Sequence, residues 1–185
     1  LHERFNVPMS RIVVIPNAVE PSPAVAPEAA LRAEIAGDRP LALTVARLDA
    51  QKGIAHLVDA AALVPDVVFA IAGDGPDRAA LEEAARRLGL GGRVHWAGWQ
   101  DDPEPFYALA DLFVCPSRHE PLGNVILEAW THRLPVLSTR NEGAQELVEP
   151  GRNALLAPLA DPAGLAEGLA ALLALDASER RRLAD

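Results

Sequence analysis

Short runs of branched apolar residues recur along this chain at RIVVI, LALTVA, VVFAIA, RVHWAG, DLFVC, PVLST and NALLA. Each has the length of a strand, and each is bounded by Gly, Pro, Asp or Asn. Between most of them lie stretches with the spacing of a one-sided helix. Ile54, Leu57, Val58 and Ala61 form one such stretch; Leu81, Ala84, Ala85 and Leu88 form another, opened by Pro76 and Asp77. Strand and helix therefore alternate, and alternation of this kind folds into parallel strands joined by right-handed crossovers. The pattern predicts an α/β fold, a doubly wound, Rossmann-like parallel sheet with helices on both faces. Ligands of open parallel sheets bind at the carboxyl ends of the strands. The loops there are RLDAQKG, GDGPD, WQDDPE, PSRHEPLGN and TRNEGA.

At 185 residues, half of them apolar, the chain is long enough to bury a substantial core. A formal charge of −9 argues against nucleic acid or an anionic lipid surface as a general partner, since both require broad positive surface. The single cysteine, Cys115, lies in the apolar run LFVC and reads as a small core residue in a reducing compartment. No stretch has the length of a membrane-spanning helix and the opening LHERFNVPMS lacks the features of a signal peptide, so a cytoplasmic location is expected. The chain opens without Met and stops inside the charged stretch ASERRRLAD, which fits a piece of something longer. Residues 1–26, with the strand-like RIVVI and the Pro-rich PSPAVAP, read as a connecting strand and linker, and residues 27–185 as the sheet-forming domain.

In so acidic a chain an anionic ligand must be met by local positive charge. Lys52 is the only lysine, five residues after Arg47, where a strand gives way to a helix at about Gly53. Amides at a helix start, the positive end of its dipole and two mobile cations would suit a diphosphate. The loop matches neither a Walker A nor a G-x-G-x-x-G pattern, and two solvated surface side chains fit the spacing as well. In PSRHEPLGNVILEAW, Glu120 and Glu128 stand eight apart, flanking Pro121, Leu122 and Gly123 and then a helix. Gly123 allows close backbone approach, so the amides of Gly123, Asn124 and Val125 could face a second set of anionic oxygens. Carboxylates beside an anion call for hydroxyls on the same ligand. Glu128 could take a vicinal diol and Glu120 the hydroxyls at the other end. A diphosphate flanked by ribose and a hexose is a nucleotide sugar.

These residues resemble the carboxyl-terminal half of a family-4 glycosyltransferase of the GT-B fold. The resemblance runs through IPNAV, VARLDAQKG with its R-x(4)-K spacing, AGDGPD, the E-x(7)-E motif in PSRHEPLGNVILEA, and EGAQELVEPGRNALL. It implies a retaining, metal-independent transfer of a sugar from a nucleoside diphosphate to an acceptor, with no cofactor. Arg47 and Lys52 would neutralise the diphosphate, Glu120 would hold the transferred sugar and Glu128 the ribose. The sequence offers no D-x-D pair for a metal. Pro121-Leu122 replaces the family's aromatic or small-residue loop, and Ala18 its interdomain glycine. The amino-terminal half, which would bind the acceptor and supply a catalytic His, is absent, so none of His2, His56, His95, His119 and His132 is assigned that role. Peripheral membrane association of the full-length protein is compatible with the resemblance.

Other residues carry plainer readings. His119 beside Glu120 reads first as a structural or solvated loop histidine. His56 falls off the apolar face of its helix and is expected exposed. Trp99 could stack on a nucleobase or cover the domain edge. Asp101 and Asp102 read as a solvated turn before Pro103 rather than a metal pair. Gly73 and Gly75 serve a turn, with Gly73 also a candidate for lining the donor cleft; Gly143 is either close to the sugar or simply in a turn. Arg180, Arg181 and Arg182 read as a solvated helix face. Two other functions fit the architecture: a nucleotide-sugar 2-epimerase, which should lack the paired E-x(7)-E and R-x(4)-K motifs, and a non-catalytic α/β module such as a receiver, which would need an acidic pocket where Arg47 stands.

Overall fold

The computed structural model of the protein describes residues 7–13, 15, 17–20 and 26–184. Six of the apolar runs become strands: β1 (Leu41–Val45), β2 (Val68–Ala72), β3 (Val94–Gly98), β4 (Leu112–Cys115), β5 (Val136–Thr139) and β6 (Leu155–Ala157). All pair in parallel, in the order β3-β2-β1-β4-β5-β6. The sheet is doubly wound, as the alternation predicts, and its strand order reverses direction between β1 and β4.

Both faces of the sheet are covered, which is why the strands read as nearly continuous apolar runs. Successive side chains of a strand point to opposite faces. In β2, Phe69 and Ile71 pack into one core with Leu57, Val58 and Leu81, while Val68 and Ala70 pack into the other with Tyr107, Phe113 and Ile126. The first core is closed by α2 (Ile54–Leu63), α3 (Arg78–Arg87), α7 (Pro162–Ala174) and α8 (Ala177–Ala184). The second is closed by α1 (Ala29–Ile35), α4 (Glu104–Leu109), α5 (Asn124–Thr131) and α6 (Glu142–Leu147). Cys115 is buried in that second core, and burial raises its thiol pKa.

The helical spacings hold with small corrections. Ile54, Leu57, Val58 and Ala61 are the buried stripe of α2, and His56 is half-buried rather than exposed. In α3, Leu81 and Ala85 are buried, but Leu88 lies beyond the last helical residue and is exposed. Asp77 is the N-cap, as the Pro-Asp signal implied.

RIVVI departs from expectation. Arg11 ends a 3-10 turn (Met9–Arg11), no strand forms among the described residues there, and Val13 and Ile15 are 81% and 84% exposed. Val14 and most of PSPAVAP lie outside the described residues, so the proposed connecting strand and linker are described only in part. Among the described residues no helix is long and apolar enough to cross a membrane.

Candidate functional site

Where strand order reverses, the loops after β1 and β4 diverge from adjacent strands and leave a crevice between them. Buried Thr44 donates to the Val114 carbonyl across that pair (2.9 Å). Beyond the strands, the Gln51 carbonyl accepts from the Arg118 amide at 2.7 Å and the His119 amide at 3.2 Å. Gly53, left-handed at φ 65°, brings the first loop so close that a Cβ there would lie 2.1 Å from the Pro116 carbonyl oxygen.

The cleft above this junction has a volume of about 310 Å³ and is lined by Val45, Ala46, Arg47, Lys52, Ala72, Gly73, Trp99, Gln100, Glu120, Val125 and Glu128. Arg47, Lys52, Glu120 and Glu128, singled out in the sequence, thus share one cavity, as do Gly73, Trp99 and Val125.

The Lys52 ammonium pairs with Glu120 at 2.6 Å, joining the two loops. The pair is mostly buried, with side chains 25% and 12% exposed. Glu120 is also held through its amide, its carbonyl and one carboxylate oxygen. Its amide donates to the Glu142 carboxylate (3.2 Å), its carbonyl accepts from the Gly143 amide (2.6 Å), and the buried Ser117 hydroxyl donates to its carboxylate (3.5 Å). Glu142 also meets His119 Nδ1 at 3.0 Å. Chiefly through that contact, and through backbone donors, the Glu142 carboxyl is lowered to about 2. His119 is accordingly an orienting partner of the loop. Gly143 serves its packing: a Cβ there would lie 2.5 Å from the Gly123 nitrogen.

The first loop carries a carboxylate of its own, in the turn that leads into α2. Asp49 accepts from the Gln51 and Lys52 amides (2.9 and 3.2 Å) and from Arg47 Nε (2.6 Å). Burial pushes the Asp49 carboxyl up, but these bonds together outweigh it and hold it below the usual carboxylate range. An internal carboxylate therefore occupies two amides of the turn before α2, while α2 itself opens at Gly53 with no side-chain cap. Arg47 stays 68% exposed on the cleft wall.

At the second loop the amides remain open. Gly123, at φ 66°, caps α5 without a side-chain bond, so the first amides of the helix have no intrahelical acceptor. Val125 lines the cleft, but Leu122 stands outside it, 56% exposed, and Asn124 accepts from Asn17 Nδ2 (2.7 Å), which ties the IPNAV segment to the helix start. One turn on, Glu128 lines the cleft, and its carboxylate accepts from the Tyr107 hydroxyl at 3.0 Å.

The far wall comes from β2 and β3. Gly73 packs so tightly that a Cβ would lie 1.9 Å from the Ala46 carbonyl oxygen, and its amide donates to the Gly98 carbonyl (2.7 Å). A register irregularity after Ile71 and the left-handed Gly98 turn the chain so that Trp99 stands at the mouth, 69% exposed. Its indole donates to Asp101 (2.9 Å), and Asp102 accepts from the Glu104 amide (3.0 Å), so both aspartates serve the turn. Asp49, Gln100, Tyr107 and Glu142 escaped the sequence reading.

The protein-family model described as glycosyl transferases group 1 matches residues 39–175. The lipopolysaccharide core biosynthesis glycosyltransferase LpsE of Rhizobium meliloti is 45% identical over 148 residues, 80% of this chain and 43% of that protein. The alpha-D-kanosaminyltransferase of Streptomyces kanamyceticus is 36% identical over 154 residues, 80% of this chain and 40% of that protein. Among solved structures, Anabaena Alr3699/HepE in complex with UDP and glucose superposes with a TM-score of 0.79 at 30% identity, over 85% of this chain and 45% of that one. The chain spans less than half the length of these curated relatives. With a family match over most of its length and the same fold in its solved neighbours, the chain belongs to the glycosyl transferases group 1 family.

Proposed function

We propose that this chain is the donor-binding, carboxyl-terminal half of a GT-B glycosyltransferase that moves a sugar from a nucleoside diphosphate to an acceptor, with retention and without a metal. The observation that carries this reading is the single cleft at the β1/β4 switch point that gathers Arg47, Lys52, Glu120 and Glu128. The similarity to a protein solved with UDP and glucose supports it.

Lys52 and Arg47 meet the diphosphate. An ammonium has three donors, so Lys52 can keep Glu120 and still reach a phosphate oxygen. The open amides of α5 and the positive end of its dipole face the same charge. As the anomeric bond breaks, negative charge grows on the departing diphosphate, and these fixed groups stabilise it without reorganising. Glu120, clamped through its backbone, takes hydroxyls of the transferred sugar. Glu128 takes the ribose diol, and Trp99 stands where a base would stack. No cofactor enters this scheme, and the acceptor would be bound by a part of the protein outside this chain.

Calorimetry with UDP, GDP and ADP in the presence of a chelator tests the reading. At least one of the three binds without magnesium, and Glu128→Ala weakens it about tenfold or more, the scale of losing hydrogen bonds to a charged group. Failure of all three to bind, or a strict magnesium requirement, overturns it.

A further inference from the structure

Tyr107 is a large polar side chain of the second core, 2% exposed, and it stands outside the cleft lining, linked to it through Glu128. From α4 the ring stacks on His132, with centroids 4.6 Å apart and planes 7° from parallel, and on Phe113 at 5.7 Å and 20°. His132 is itself fixed, with Nε2 3.1 Å from Glu104. The phenol therefore has little freedom about its own axis or in tilt. Its hydroxyl donates to Glu128 Oε2 at 3.0 Å, and among the described residues it is the donor that reaches this carboxylate. Burial first, and then the negative charge of Glu128, raise the phenol pKa, so the group stays protonated and acts as a donor.

Resting on the reading of Glu128 as the ribose ligand, we propose that Tyr107 is a positioning residue that fixes one Glu128 oxygen and turns the other lone pairs of the carboxylate toward the ribose diol. A helical glutamate has three soft side-chain torsions, and binding a diol through both oxygens requires all three to be set. A hydrogen bond from a rigid ring sets them before the nucleotide arrives, which lowers the ordering cost of binding. Tyr107 does this from outside the cleft and touches no part of the ligand. The sequence gives no hint of the arrangement, since a tyrosine in FYALAD reads as one more buried aromatic of a short helix.

The test compares UDP with 2′,3′-dideoxy-UDP by calorimetry on this chain and on Tyr107→Phe, Glu128→Ala and the double variant, with GDP and ADP and their dideoxy forms run in the same way. Tyr107→Phe is expected to weaken the ribonucleotide about 3- to 10-fold, within the range for a hydrogen bond to a charged group. The dideoxy nucleotide should bind it as it binds the unaltered chain, and the double variant should bind no more weakly than Glu128→Ala alone. Equal weakening of both nucleotides would make Tyr107 merely structural and overturn the inference. So would unchanged ribonucleotide binding in Tyr107→Phe while Glu128→Ala loses affinity. If Glu128→Ala changes nothing, or no ribonucleotide binds the unaltered chain, the donor-site reading itself fails and the inference falls with it. Should Tyr107→Phe not fold, His132→Gln removes the stacked face and keeps the hydroxyl; a smaller, ribose-dependent loss is then expected, and a loss equal for both nucleotides overturns the proposal.

Discussion

Lys52 bridges the two loops of the switch point through its 2.6 Å contact with Glu120, and charge that grows on a leaving diphosphate would grow beside it. Its contribution should fall on the transition state more than on donor binding. In the complete enzyme, Lys52→Ala is expected to lower kcat on the order of 100-fold with a smaller change in donor KM, measured by steady-state kinetics; near-normal turnover removes Lys52 from this role. A second residue-scale expectation concerns acid. The Glu142 carboxyl, lowered from 4.5 to about 2, favours the folded chain at pH values above its unfolded pKa, and that benefit fades as pH falls toward 2. The melting-temperature gap between the unaltered chain and Glu142→Gln should therefore be open at pH 6 and closed near pH 2. A gap that widens with acid would contradict the sign. Lys52 and Glu128 were legible because an isolated lysine and two spaced acids stand out in an acidic, lysine-poor chain. Asp49 and Tyr107 were not, because each acts on a neighbour: Asp49 on the amides of its own turn, Tyr107 on a glutamate 21 residues away.

At the scale of elements, the site depends on loops approaching more closely than a side chain allows. Gly53 combines a left-handed φ with a virtual Cβ 2.1 Å from the Pro116 oxygen, so Gly53→Ala must strain its backbone and push the β1 and β4 loops apart. A loss of about 3 kcal/mol is expected, roughly 6–12 °C in Tm for a domain of this size. Gly151 has a similar φ of 78° but open space around its Cβ, so Gly151→Ala should cost only about 1 kcal/mol. Thermal unfolding of the two variants separates crowding from conformation; equal losses would mean that the loop approach contributes nothing. The strands themselves were readable because burial on both faces leaves an unbroken apolar signature. RIVVI carries the same signature, yet no strand forms among its described residues, and composition does not distinguish the two. The register irregularity that delivers Trp99 to the mouth was equally hidden, since it depends on how β3 pairs with β2.

Over the whole molecule, helix and strand alternation foretold the architecture, but the order of the strands places the site, and order is a property of packing that no local pattern encodes. The reversal between β1 and β4 brings together residues that lie 68 positions apart in the chain. On the proposed reading the resulting cleft would meet a diphosphate, a sugar and a ribose, yet it is an open crevice on one sheet end, and the curated relatives are more than twice as long as the part matched here. Group transfer needs an acceptor hydroxyl held against the anomeric carbon and water kept out, and closure over an exposed crevice supplies both. This chain alone should therefore bind a nucleoside diphosphate sugar and leave it intact. Incubation with UDP-glucose, GDP-mannose or ADP-glucose, followed by chromatography for the free nucleoside diphosphate, should show binding without turnover above the uncatalysed rate. Efficient release of UDP, GDP or ADP by residues 1–185 would mean that the reacting groups are all present here, and the two-part reading would have to be abandoned.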